Sequence, residues 1–137
     1  MAGPHDAVSG ADAVVTAGPI LRVPHATIQA GWMAPGTFAS AVDFDSYFSR
    51  EAILEFAKIT TDDRAQLEHF REMGYFKDVP EPHAELAELV TERRPGRESP
   101  DERTLAMNLG LALEDIAVAP LVLARAIERG VGTWLPL

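Results

Sequence analysis

The feature that most constrains the fold is the run Ala11-Asp12-Ala13-Val14-Val15-Thr16-Ala17-Gly18. It is short, apolar and β-branched, and it closes on a small polar residue and a glycine. That is the pattern of a buried parallel strand whose carboxyl end opens into a loop. After a loop carrying Pro19 and Pro24, a second apolar run, Thr37 to Val42, is introduced by Pro35-Gly36 and ends at Asp43-Phe44-Asp45. A third, Ala57 to Thr61, runs into Asp62-Asp63. Three strands that each end in polar or acidic residues predict an α/β fold with a parallel sheet and its chemistry at one edge.

Elsewhere the period is helical. Arg64 to Met73 sets Ala65, Leu67, Phe70 and Met73 near one side, with Gly74 as the stop. His83 to Thr91 groups Leu86, Leu89 and Val90. Ser99-Pro100-Asp101-Glu102 reads as a capping box with proline at the first helical position, which predicts one long helix from there to about Arg129, closed by Gly130. This segment is apolar almost all round, so neighbours are expected to bury it on several sides. Pro120 should kink it, and the apolar tail from Gly132 to Leu137 should pack down. The chain thus divides into residues 1–98, a partial sheet domain, and residues 99–137, a long helix and tail.

Composition narrows the function. Twelve Lys and Arg against 21 Asp and Glu leave a net charge of −9, which disfavours nucleic-acid binding. The absence of cysteine excludes disulfides, a thiolate zinc site and a Cys nucleophile. The four histidines lack ligand spacing, and Asp43-x-Asp45 has no third ligand nearby, so no metal site is expected. Asn108, Glu114 and Asp115 interrupt the most apolar stretch, so no membrane span is expected. Met1 to Gly10 has neither the basic start nor the apolar run of a secretory leader, and a cytoplasmic protein is expected. Three short strands and one apolar helix do not close a domain in 137 residues; the sequence reads as the second half of a larger unit.

Ser99 to Ala119, with Gly110-Leu-Ala-Leu-Glu-Asp115 at its core, resembles the C-terminal helix of the ornithine cyclodeaminase/μ-crystallin family. Ala11-Asp-Ala-Val-Val-Thr-Ala17, Pro82-x-Ala-Glu-Leu-x-Glu-Leu-Val90, Arg94-Pro-Gly-Arg97 and Arg129-Gly-Val-Gly-Thr133 are similar to further stretches of it, in the same order. Asp43-Phe-Asp-Ser-Tyr47 and Gly74-Tyr-Phe76 resemble one branch, some of whose members are labelled as part of a tyramine oxidase. The resemblance implies the C-terminal half of a Rossmann-like dinucleotide-binding domain, of about three parallel strands with helices, plus the long helix. It further implies that the N-terminal half, with the Gly-rich phosphate loop and the basic substrate residues, is missing. No Gly-x-Gly-x-x-Gly follows a strand in the sequence.

The implied chemistry is hydride transfer between an amino acid or imine and NAD or NADP. Each step moves a proton at nitrogen or water, which calls for a carboxylate as general acid and base. On spacing alone, Asp45 reads first as an Asp capping the following turn or helix; overlay on the family's motif reverses that and gives it the acid and base role, with catalysis and substrate contact. The resemblance places Thr16, Ser40, Ala41 and Asn108 near the cofactor, and Leu109 on the substrate side. The family's small pair before the Asp is Asp43-Phe44 here, and its Pro-Gly after it is Tyr47-Phe48. If the strand continues, Asp43 and Asp45 would point to one side and repel. The implied partners are a small amino-acid or imine substrate and a second subunit or the missing half. The isolated chain is expected to be inactive. The alternative is a non-catalytic nucleotide-binding or oligomerisation module.

Overall fold

The β-branched runs form strands where their patterns place them: β1 (Ala13–Thr16), β2 (Phe38–Ala41) and β3 (Lys58–Thr61). The computed structural model describes residues 3–136; Met1, Ala2 and Leu137, which belong to the leader and tail expectations, lie outside the described residues. Two further strands, β4 (Ala84–Glu85) and β5 (Thr104–Met107), complete a five-stranded sheet in the order β1-β2-β5-β3-β4. Every pairing is parallel. The α/β class and the parallel sheet are as expected, with five strands in place of about three.

Register explains the core. Val14, Ala39, Leu105 and Ile59 lie in one row across the sheet, and Thr16, Ala41, Met107 and Thr61 in the next. These rows share a face. With Ala52 and Ile53 of α2 (Arg50–Ile53), Leu67 of α3 (Arg64–Glu72), Phe48, Phe56 and Phe76, their apolar members form the hydrophobic core. Burial of each such large side chain contributes about 1.5–3 kcal/mol. Ser49 caps α2 by accepting from the Ala52 N–H at 3.1 Å, and Asp63 caps α3 by accepting from the Gln66 N–H at 2.6 Å. Ahead of β1, α1 (Pro4–Val8) inserts Val8 into the core, and His5 stands edge-on to Trp32.

The opposite face is covered unevenly. α4 (Leu86–Val90) and residues 95–97 roof the end at β3 and β5, over an apolar cavity of about 150 Å³. Lys58, at the amino end of β3, pins this roof: its ammonium donates to the Gly96 carbonyl and pairs with Glu98 at 2.5 Å and Glu102 at 3.5 Å. At the other end of the sheet, Val15 and Phe38 remain exposed on this face.

Three expectations are corrected here. The capping signal at Ser99 does not start the long helix. Residues 99–102 form a turn, residues 104–107 are the central strand, and α5 (Ala112–Arg129) begins only after Gly110, whose φ of 85° ends the extended chain. Leu105 and Met107 are buried because they sit mid-sheet. The segment 99–137 therefore supplies the middle of the sheet as well as a helix. Second, α5 buries none of its residues; Leu113, Ile116, Leu121 and Ile127 are each more than half exposed. It does end at Gly130 in a left-handed cap, and Pro120 lies within it. Third, the tail does not pack down: Trp134 is 84% and Leu135 78% exposed.

Candidate functional site

The carboxyl ends of β1 and β2 are tied together by one carboxylate. Asp43 is fully buried, accepting the Thr16 hydroxyl on Oδ1 at 2.6 Å and the Gly18 N–H on Oδ2 at 2.8 Å. The chain then turns at Phe44, whose φ of 63° is left-handed, a conformation a bulky side chain adopts only when its surroundings hold it. What holds it is an aromatic cluster: the Phe44 ring lies 4.8 Å from Phe70, 4.8 Å from Phe76 and 5.5 Å from Tyr75.

The segment after the turn anchors the long connection between β1 and β2. The Ser46 hydroxyl donates to the Asp43 carbonyl and accepts from the Leu21 N–H; the Ser46 and Tyr47 carbonyls accept from the His25 and Ile28 N–H groups. Between this strap and the free edge of β1 lies an open groove of about 470 Å³, lined by residues 13–18 with Val8, Thr27, Ile28, Asp43 and Tyr47. A Cβ at Gly18 would meet the Tyr47 ring and hydroxyl, so a side chain there would displace Tyr47 from the wall.

Asp45 sits apart from that groove. It is buried, its Oδ1 has no hydrogen-bond partner, and it does not line the cavity. Burial pushes its carboxyl above the usual range, helped by the nearby Asp78 carboxylate and, least, by Asp43; the backbone N–H groups of Asp45 and Phe76 offset part of this. The expectation that Asp43 and Asp45 share a side fails because β2 stops at Ala41 and the left-handed Phe44 turns the two carboxylates apart.

Asn108 follows the last residue of β5, not a helical turn. Its N–H donates to the Ala41 carbonyl at 2.8 Å and its side-chain amide to the Ser40 hydroxyl at 2.8 Å. Ser40 shares the face opposite Thr16, so the structure brings Ser40 and Asn108 together and leaves Thr16 across the sheet from them. Ala41 is fully buried with its carbonyl occupied, and Leu109 is half-buried against the core.

Two residues outside the sequence-based candidates organise the edge. Asp43 is one; the Asp-x-Asp pattern pointed to it, but only the turn at Phe44 decides which carboxylate meets β1. Asp62 is the other: its Oδ2 accepts the Leu109 and Gly110 N–H groups at 2.9 and 2.8 Å, tying the end of β3 to the loop that carries Asn108. An Asp directly after a strand was its one signal. Among the described residues, no helix is long and apolar enough to cross a membrane.

Comparison with known proteins fits this architecture. The alanine dehydrogenase of Archaeoglobus fulgidus is 33% identical over 95% of this chain and 42% of its own length. The N-((2S)-2-amino-2-carboxyethyl)-L-glutamate dehydrogenase of Staphylococcus aureus is 31% identical over 96% of this chain and 40% of its own. A Thermococcus litoralis Delta(1)-pyrroline-2-carboxylate reductase, solved in complex with NADH and L-proline, superposes with a TM-score of 0.72 at 27% identity, covering 98% of this chain and 44% of that one. The chain therefore spans about two fifths of the length of the curated relatives it matches. The model of one family matches residues 1–130, nearly the whole sequence, and with a sheet of the same fold beneath it the chain belongs to the ornithine cyclodeaminase/mu-crystallin family.

Proposed function

We propose that this chain is the C-terminal part of an NAD(P)-dependent oxidoreductase acting on a small amino acid or imine. The observation that carries the reading is the groove that runs along the free edge of β1 to its carboxyl end, where Thr16, Asp43 and Tyr47 line it. Ligands of open α/β sheets bind beyond the carboxyl ends of the strands. The fit is to the nicotinamide end of a dinucleotide: a cavity of about 470 Å³ holds such a ring, and Thr16 and Tyr47 offer hydroxyls to it. No residues of this chain are assigned to the pyrophosphate, because no Gly-x-Gly-x-x-Gly follows a strand. When bound, the nicotinamide supplies hydride acceptance or donation.

The chain's own residues bind, orient and move protons. Thr16 contacts the cofactor on the core side of the sheet; Ser40 and Asn108, joined by their hydrogen bond, form a second polar contact on the opposite face, with the Ala41 backbone between them. The overlay on the family's motif, and not the groove, gives Asp45 the role of general acid and base for the substrate nitrogen, its buried carboxyl lying outside the groove lining. The raised pKa of Asp45 suits a carboxyl that must hold a proton and release it. Leu109 lines the substrate side. The exposed apolar surface of α5 supports association with a second subunit or with a segment supplying the other part of the family's length, and a purely assembling or nucleotide-binding role is the second reading.

The test joins this sequence to the preceding part of the Archaeoglobus relative. Asp45→Asn in that protein should abolish turnover while leaving NADH fluorescence titration unchanged; retained turnover removes Asp45 from the mechanism. The 137-residue chain alone should bind NADH more weakly than micromolar, and micromolar binding would contradict the assignment of the pyrophosphate to residues outside it.

A further inference from the structure

The Thr16 hydroxyl has one proton, and the structure spends it on Asp43. The contact is 2.6 Å, the short range of an O–H donating to a carboxylate oxygen, and the second Asp43 oxygen is occupied by the Gly18 N–H. A hydroxyl whose proton is committed keeps only lone pairs for another partner. Thr16 and Asp43 both line the groove, Thr16 being the more accessible of the two and Asp43 closed off beneath it. Among the described residues, no Lys, Arg or His pairs with Asp43. Its buried charge is met by one hydroxyl and one backbone N–H, so a positive or donor group entering the groove is favoured and an acceptor is disfavoured.

We infer that Asp43 is a positioning residue that fixes the Thr16 hydroxyl as a hydrogen-bond acceptor, so that the groove selects a donor group of its ligand at that point. The class of ligand group is an N–H donor: a carboxamide, as on a nicotinamide ring, or the ammonium of an amine substrate. Carbonyls, carboxylates and phosphates are disfavoured there. The inference rests on the groove being the ligand site of the proposed function, but it concerns one hydrogen bond and is tested separately from dinucleotide binding.

The experiment is a nitrogen-15 NMR titration of the 137-residue chain, following the Gly18 and Ala17 amides. Nicotinamide and n-butylammonium are the two donor probes; methyl nicotinate and butyrate are their acceptor-only counterparts. The donor probes should bind about threefold to tenfold more tightly than their counterparts, the worth of one net hydrogen bond. In Asp43→Asn the single amide oxygen stays on the Gly18 N–H, which can only donate, so its NH2 donates to the Thr16 hydroxyl, frees that proton and should abolish both preferences. Asp43→Ala frees the proton and should abolish both preferences, as should Thr16→Val; Thr16→Ser should retain them. A stronger nicotinamide response than butylammonium response identifies the cofactor as the source of the donor, and the reverse identifies the substrate. Equal binding of donor and acceptor probes by the wild-type chain, no response to any probe, or a preference that survives Asp43→Ala would overturn the inference. If the donor probes discriminate but NADH leaves the groove amides unmoved, the inference stands and the cofactor reading fails.

Discussion

Phe44 offers a prediction in which the usual order of two substitutions reverses. At an ordinary helix or strand position glycine is worse than alanine by roughly 0.5–1 kcal/mol, because it has more backbone freedom to lose. Phe44 has a φ of 63°, where an L side chain costs roughly 1–2 kcal/mol. Its ring is 4% exposed and packs on Phe70, Tyr75 and Phe76, so removing it should cost about 3–5 kcal/mol. Phe44→Ala suffers that loss in full and keeps the strained backbone. Phe44→Gly suffers the same loss but relaxes the backbone, so it should be the more stable of the pair by about 1 kcal/mol. Urea unfolding followed by circular dichroism, in a sulfate buffer that stabilises both variants, measures the difference in midpoint. If the glycine variant is the less stable, the left-handed turn is not adopted, and the account of why Asp43 and Asp45 face apart falls with it.

Two further predictions concern stability. Gly36 combines a φ of 81° with a site where a Cβ would collide with the Pro100 carbonyl oxygen, so Gly36→Ala should cost about 2–4 kcal/mol and loosen the turn before β5; an unchanged melting temperature would contradict this. Asp45 titrates higher in the folded chain than its ordinary value of 3.8, so the folded state holds the proton longer and stability falls as pH rises through the window between the two values. Asp45→Asn should therefore be more stable than the wild-type chain at neutral pH, with the gain fading as pH falls through that window and gone below about 4; thermal melts from neutral pH to below about 4 that show a constant gap would refute it.

The parts of this fold legible in the sequence are those whose pattern is local. β1, β2 and β3 announce themselves by β-branching and by their polar ends, and α3 by its spacing and by Gly74. β5 was hidden because Thr104-Leu105-Ala106-Met107 sits between a good capping signal and a strongly apolar helix, and a four-residue buried strand has no period to set against them. Gly110 was the remaining clue. The exposure of α5 was illegible for a different reason: hydrophobicity states that a surface wants burial, and this chain alone does not supply the burying surface. At the site, residue type pointed to the Asp-x-Asp pair, but the side each carboxylate faces depends on one backbone torsion at Phe44, held by aromatic rings from residues 70–76.

The position of β5 also dictates an order of assembly. Without it the sheet is two separate ribbons, β1 with β2 and β3 with β4, that share no hydrogen bond. The strand that joins them is the last of the five along the chain, and it pairs Thr104 with Phe38 on one side and Lys58 on the other. Closing such distant contacts is entropically slow. Each ribbon can form early, but neither acquires a complete face until β5 slides between them as a keystone. The Ser40–Asn108 contact at the carboxyl edge therefore waits for β5, whereas the groove of Thr16, Asp43 and Tyr47 is built from β1, β2 and the segments around them alone.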